Sequence, residues 1–306
     1  SDLPILDFCI DQLFNGCLTY TCICIISKSV TSTIHYTETS KSSLRVLASQ
    51  SFVDISYSSL NNKKGWILKD SHTTEKIRRI ESTGTQLEQL VEIKNGFATL
   101  RNKVYLVQPL SEDNMFLYLK KDGKSYQIEK SICRKAIKAN VVRPQQNICS
   151  LEEYIIFPYI SNNNRIQLIE ESDFKTNYPF AYSYLCDYRE ELSKRDKGHK
   201  KYPAWYAYGR TQALNYYGER LLFPHICDFP CFVYSNDKEL LYYDGYAVFS
   251  KNKIELEVVR RGLTSDVFWY YIVNTSKPYT GGFFSLEKRY VKHFSIPNFS
   301  SKEKDR

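Results

Sequence analysis

The chain has 306 residues, of which 42% are hydrophobic and 25% charged, with 42 Lys plus Arg against 34 Asp plus Glu and a formal net charge of +8. That length and balance exclude a peptide, a disordered tail and a small module, and they fit one large domain or two smaller ones with sizeable cores. The surplus of cations favours a polyanionic partner, and a solvated basic surface would carry the same surplus.

In chain order, PILDFCI (4–10) and TYTCICIIS (19–27) read as strands. The second is a nearly continuous apolar run of the kind buried on both faces of a sheet. With no helical crossover between them, they are expected to be the terminal strands of a larger α/β sheet. The apolar run over 17–26 is shorter than the roughly 20 residues a bilayer span needs. The start SDLPILDF lacks both a methionine and a basic region, which predicts a piece of a longer protein and no signal peptide.

Residues 31–66, rich in Ser and Thr and ending in NNKKG, read as a linker with short strands. Ile77 and Ile80 lie three apart, and Thr85 with Glu88 has capping-box spacing ahead of Leu87 and Leu90, which predicts a helical region. KVYLVQP and MFLYLKKDGKSYQIEK read as short strands, the latter pair around a DG turn. EYIIFPYI is a strand interrupted by Pro158. Residues 181–197 predict an amphipathic helix with Tyr184, Leu185, Tyr188 and Leu192 on one face. CDFPCFVYS and LYYDGYAVFS return to strands, again with a DG turn signal. The expected fold class is mixed α+β. Residues 1–30 are expected to be a sheet fragment, 31–66 a linker and 67–306 the main domain, in one or two subdomains.

The cysteines Cys9, Cys17, Cys22, Cys24, Cys133, Cys149, Cys186, Cys227 and Cys231 are odd in number and sit mostly in apolar or aromatic runs. They read as reduced core thiols of a cytosolic protein. The close pairs Cys22/Cys24 and Cys227/Cys231 lack the second pair that a zinc site needs, so no metal is expected. His35, His72, His199, His225 and His293 are scattered without ligand spacing.

Phosphate-loop, dinucleotide, HExxH and GxSxG motifs are all missing, so no catalytic residue is assigned. The strongest local signal is REELSKRDKGHKKYPAWYAYGR (189–210), where Arg195, Lys200 and Lys201 precede Trp205, Tyr208 and Arg210. Flexible cations reach phosphates, and flat rings or guanidinium planes meet bases or sugars. A buried Trp205 and Tyr208 beside a solvated lysine turn would give the same pattern. Lys94, Arg101 and Lys103, around GFATLRNK, form a second basic set.

Beyond these signals, the order of several segments resembles the C-terminal part of TaqI-like and type IIG adenine-N6 DNA methyltransferases. LFNGCLTYTCICIISK is similar to the end of that family's methyltransferase domain, and QLVEIKNGFATLRNKVYLV to the opening of its target-recognition domain. EYIIFPY, YSYLCDYREELSKRD, WYAYGRTQAL, LLFPHICDFPCFVY and YTGGFFSLEKRYVKHFSIP follow in the family's order.

The resemblance implies a domain that reads duplex DNA in the major groove for a catalytic methyltransferase domain of the same polypeptide. The full-length parent would flip an adenine and use S-adenosylmethionine. The candidate DNA contacts, taken from the two basic stretches, are Arg195, Lys200, Lys201 and Arg210, with Trp205 or Tyr208 holding the loop, and Lys94, Arg101 and Lys103 as a second tier. The cofactor loop and Asn-Pro-Pro motif are expected upstream of residue 1, so the chain alone should be inactive.

Three features depart from the family's pattern. Leu100 stands where a second glycine is usual after Gly96, and Phe229 where a lysine often precedes the proline of CDFP. NYPF (177–180) resembles the catalytic Asn-Pro-Pro-aromatic signature but carries Tyr178 in its second position and lies far from the α/β-like start. The alternative from another class is a docking subunit without DNA readout, because aromatics also enrich protein interfaces.

Overall fold

The computed structural model describes residues 3–16, 19–28, 30–43, 50–62, 65–162, 165–251 and 255–298. Cys17, and Lys63 and Lys64 of NNKKG, lie outside the described residues. The architecture is mixed α+β, with several small sheets and short helices. The chain divides into two compact units. One comprises Ser1–Leu90, Ile226–Pro230 and Arg261–Arg306, the other Val91–His225 and Cys231–Arg260.

The first unit holds a four-stranded sheet in the order Cys22–Cys24, Leu3–Asp7, Thr33–Glu38, Val53–Ser56. Leu3–Asp7 runs antiparallel to Cys22–Cys24 and parallel to Thr33–Glu38. Ile5, Ile34, Tyr36 and Ile55 bury one face. The expected long central strand over 19–27 is not formed. Only Cys22–Cys24 pairs, it occupies the sheet edge, and all three residues are exposed. Pairing on one side only leaves Ile25 58% and Ile26 81% exposed. Residues 31–66, expected as a linker with short strands, supply two strands, Thr33–Glu38 and Val53–Ser56, to this same sheet.

Helix Ser71–Ser82 starts where Asp70 accepts a hydrogen bond from the Thr73 N–H at 2.9 Å. The capping box expected at Thr85 is absent. Thr85 instead lies in a two-residue strand paired with Ser295–Ile296, and its hydroxyl donates to Asn298. The N–H groups of Leu87 and Glu88 are taken by the Phe294 and Lys292 carbonyls, so a neighbouring strand end replaces the side-chain cap.

The second unit contains an antiparallel sheet ordered Val233–Ser235, Arg220–Phe223, Tyr246–Ser250, Val91–Asn95. Another sheet is ordered Leu241–Tyr243, Cys133–Lys138, Glu152–Ile156, Leu106–Val107. LYYDGYAVFS is therefore not a hairpin. Its two strands belong to different sheets, and Asp244 and Gly245, both at positive φ, turn the chain from one into the other. The first DG signal does form a hairpin, Phe116–Lys121 with Lys124–Glu129, around Asp122 (φ 48°) and Gly123 (φ 81°).

The helix expected over 181–197 is broken into Pro179–Asp187 and Arg189–Ser193. Tyr184, Leu185 and Leu192 are buried as the periodicity requires, but Tyr188 sits at the break and donates to Asp122 at 2.7 Å. NYPF is a helix junction: Asn177 ends one helix, Pro179 opens the next, and the buried Glu129 carboxylate caps the new N-terminus.

Among the described residues no helix is long and apolar enough to cross a membrane, and no cluster of three metal-ligating side chains occurs. The described cysteines are free. Cys133, Cys227 and Cys231 are buried, whereas Cys22, Cys24 and Cys149 are exposed, so a core role holds for only some of them.

Candidate nucleic-acid interface

In the second unit, two loops meet edge to edge. The Ala98 N–H donates to the Arg210 carbonyl at 3.0 Å and the Arg210 N–H to the Ala98 carbonyl at 2.8 Å. They wall a cleft of about 470 Å³ that also receives Asn95, Asn102, Gln212 and His225.

The first loop is shaped by Thr99, fully buried, whose hydroxyl accepts from the Arg101 N–H at 3.0 Å and donates to Asn102 Oδ1 at 2.6 Å. Between them Leu100 adopts φ 62°, the left-handed region that a glycine would enter without strain.

The second loop needs Gly209 for contact with this chain itself. A Cβ there would lie 2.3 Å from Leu100 Cδ1, so the residue is small because Leu100 fills its space. Gly281 and Gly282, both at positive φ, belong to the turn between the strands Pro278–Tyr279 and Phe283–Ser285.

Of the predicted contacts, Arg101, Lys103 and Arg210 share the cleft. Arg101 is held by Glu191 at 3.7 Å and donates to the Leu100 and Lys194 carbonyls. Lys103 and Arg210 are exposed and have no ion-pair partner among the described residues. Lys200 donates to the Gly209 carbonyl at 3.2 Å, which places its ammonium next to Arg210, and Lys201 is exposed beside it.

The other candidate residues are engaged within the chain. Arg195 is only 1% exposed: its guanidinium donates to the Leu192, Ala207 and Trp205 carbonyls at 2.9, 2.5 and 2.7 Å, and to Thr99 O at 3.4 Å. A guanidinium spent on four backbone oxygens reaches no phosphate. Lys94 is tied to Glu92 at 3.0 Å and lies over the Tyr216 ring. Trp205 turns its indole N–H to Glu171 and stacks under Arg189.

Tyr208 is buried; its N–H donates to the Tyr159 hydroxyl oxygen and its own hydroxyl donates to Ile156 O. It is core, not a stacking platform. Gln212, whose amide donates to Gly96 O at 3.2 Å, and Asn102 and Asn95 also line the cleft, although none of them belongs to a motif that marks a site in the sequence. Their adjacency to Arg210 and Arg101 was the available signal.

Below the cleft, burial pushes the Tyr159 and Tyr206 phenols up to about 12 and holds Tyr105 and Tyr208 well above the ordinary phenol value. They remain neutral donors. The Tyr105 hydroxyl fixes Tyr206 O at 2.9 Å, and that of Tyr206 fixes Ile169 O at 2.6 Å. The cleft thus offers cations, amides and a rigid backbone, a set suited to binding anions and hydrogen-bonding edges.

No family model matches the chain. It is similar to the "Type II restriction enzyme and methyltransferase RM.Eco57I" of Escherichia coli, with 26% identity over 217 residues covering 66% of this chain and 22% of that protein. The chain accordingly spans less than a quarter of that relative's length.

Proposed function

We propose that this chain recognises a duplex DNA sequence for a restriction-modification enzyme that methylates adenine at N6, with the cleft beside Arg210 facing the DNA. The observation that carries the reading is a fixed backbone presenting an exposed guanidinium without an ion-pair partner among the described residues, next to Lys103, Lys200 and Lys201. The similarity to a restriction enzyme and methyltransferase supports the same reading.

Lys103, Lys200 and Lys201 take phosphates, which position a protein on a duplex, while Arg210, Asn102 and Gln212 present the donors and amides that read base edges. S-adenosylmethionine belongs to the catalytic domain of the parent polypeptide, whose motifs this sequence does not contain. The exposed Ile25 and Ile26, beside the edge strand of the first unit's sheet, suit contact with that domain.

The test is to titrate the chain with a duplex library at low and moderate salt and sequence what stays bound. A shared motif that survives the higher salt supports sequence reading. Binding without an enriched motif assigns the readout to the chain together with its catalytic domain. No binding at low salt transfers the chain to the docking-subunit reading, since an apolar interface does not share the salt dependence of phosphate contacts.

A further inference from the structure

We infer that Arg195 is a positioning residue for DNA recognition, a buried brace that sets the cleft loops and makes no contact with DNA; the inference rests on the proposed function above. Its guanidinium joins three segments. One is the end of helix Arg189–Ser193 through Leu192 O, another the first cleft loop through Thr99 O, and the third the second loop through Trp205 O and Ala207 O. Thr99 precedes Arg101 by two residues and Ala207 precedes Arg210 by three, so the brace grips each loop just before its cleft-lining arginine.

The ring of Tyr202 covers the guanidinium at 4.3 Å, and the Tyr202 hydroxyl is fixed to Asp196 at 2.6 Å. Among the described residues, the acceptors of the Arg195 guanidinium are all carbonyl oxygens, and no acidic side chain pairs with it. A planar fork with fixed N–H directions can satisfy four such oxygens at once, whereas a lysine ammonium offers three donors from one point.

Arg220 supplies the internal control. It too is 1% exposed and donates only to carbonyls, those of Gly218, Leu240, Asp237 and Lys238, but it does not line the cleft.

The experiment compares Arg195→Met, Arg195→Lys and Arg220→Met with the unaltered chain, using thermal melts, amide hydrogen exchange and binding to the selected duplex across a salt series. Arg195→Met is expected to lose protection at the Ala98 and Arg210 amides and about tenfold in affinity, with an unchanged salt slope. Its effect should overlap that of Arg210→Ala in the double variant, and Arg195→Lys should recover part of the loss. Arg220→Met should lower the melting temperature and leave affinity intact. A salt slope reduced by about one would make Arg195 a phosphate contact and overturn the inference. Unchanged protection at Ala98 and Arg210, or affinity lost equally in Arg220→Met, would also overturn it. If Arg195→Met does not fold, Arg195→Lys carries the same readouts. If the unaltered chain binds no duplex, the proposed function fails while exchange at Ala98 and Arg210 still decides the brace.

Discussion

Leu100 occupies the space that a side chain at Gly209 would need, with its Cδ1 2.3 Å from where that Cβ would stand. One residue is strained at φ 62° and the other is reduced to glycine, and both lie at the seam of the two cleft loops.

Gly209→Ala should therefore destabilise the second unit by about 1–3 kcal/mol, the usual cost of overpacking. Leu100→Gly in the same chain should restore most of that loss, because it clears the contact and removes a left-handed strain of about 1–2 kcal/mol. Urea unfolding of the two single variants and the double variant measures the coupling. Additive losses would show that the seam is not where the alanine is felt.

Glu129 controls the start of helix Pro179–Asp187. Its two carboxylate oxygens accept the Phe180 and Ala181 N–H groups at 2.8 Å each, and Tyr178 at the N-cap gives no side-chain cap. Glu129→Ala leaves buried donors unsatisfied and should cost about 2 kcal/mol, whereas Glu129→Gln retains an acceptor and should cost less. Equal losses in denaturant melts would mean that the site is only a volume to be filled.

Acid should loosen the cluster around Trp205. The Trp205 indole N–H and the Tyr182 hydroxyl, both donating to Glu171, hold its carboxyl below the usual carboxylate range. A depressed folded pKa contributes stability that is present above the unfolded value of about 4.3 and is lost as pH falls through the folded pKa. Glu171→Gln should thus lower the melting temperature at about pH 7 and converge with the unaltered protein near about pH 3. A constant difference at both values would assign the effect to geometry and not to charge.

Much of the local structure was legible in the sequence, and the limits are physical. Asp122-Gly123 makes its hairpin because both residues accept positive φ between strands in matching register. The identical dipeptide at 244–245 turns between sheets, since its partners lie elsewhere in the chain: Leu241–Tyr243 pairs with Cys133–Lys138 and Tyr246–Ser250 with Val91–Asn95. The basic loop over 194–201 was visible as a run of charge. Which charge turns inward was not, because Arg195 is buried by carbonyls from Thr99 and Ala207, contacts that composition does not encode. Arg101 and Arg210 each stand in a basic stretch of the sequence, yet their meeting depends on the bridge between Ala98 and Arg210.

Opposite charge changes in the cleft should move DNA binding in opposite directions. Glu191 faces Arg101 at 3.7 Å and is the anion nearest that guanidinium in the cleft wall. Exposed pairs of this kind are worth about 0.2–1 kcal/mol, so Glu191→Gln should tighten duplex binding by about two- to fivefold at low salt. The gain should shrink as salt screens it. Arg210→Ala should weaken binding, and the manner of the loss identifies its partner. A cost of about 1–3 kcal/mol confined to one base position marks an edge contact, while a uniform loss with the salt slope reduced by about one marks a phosphate. If Glu191→Gln weakened binding instead, Glu191 would be holding Arg101 in its working position, and the negative charge would be a support for the site and not an opponent of the DNA.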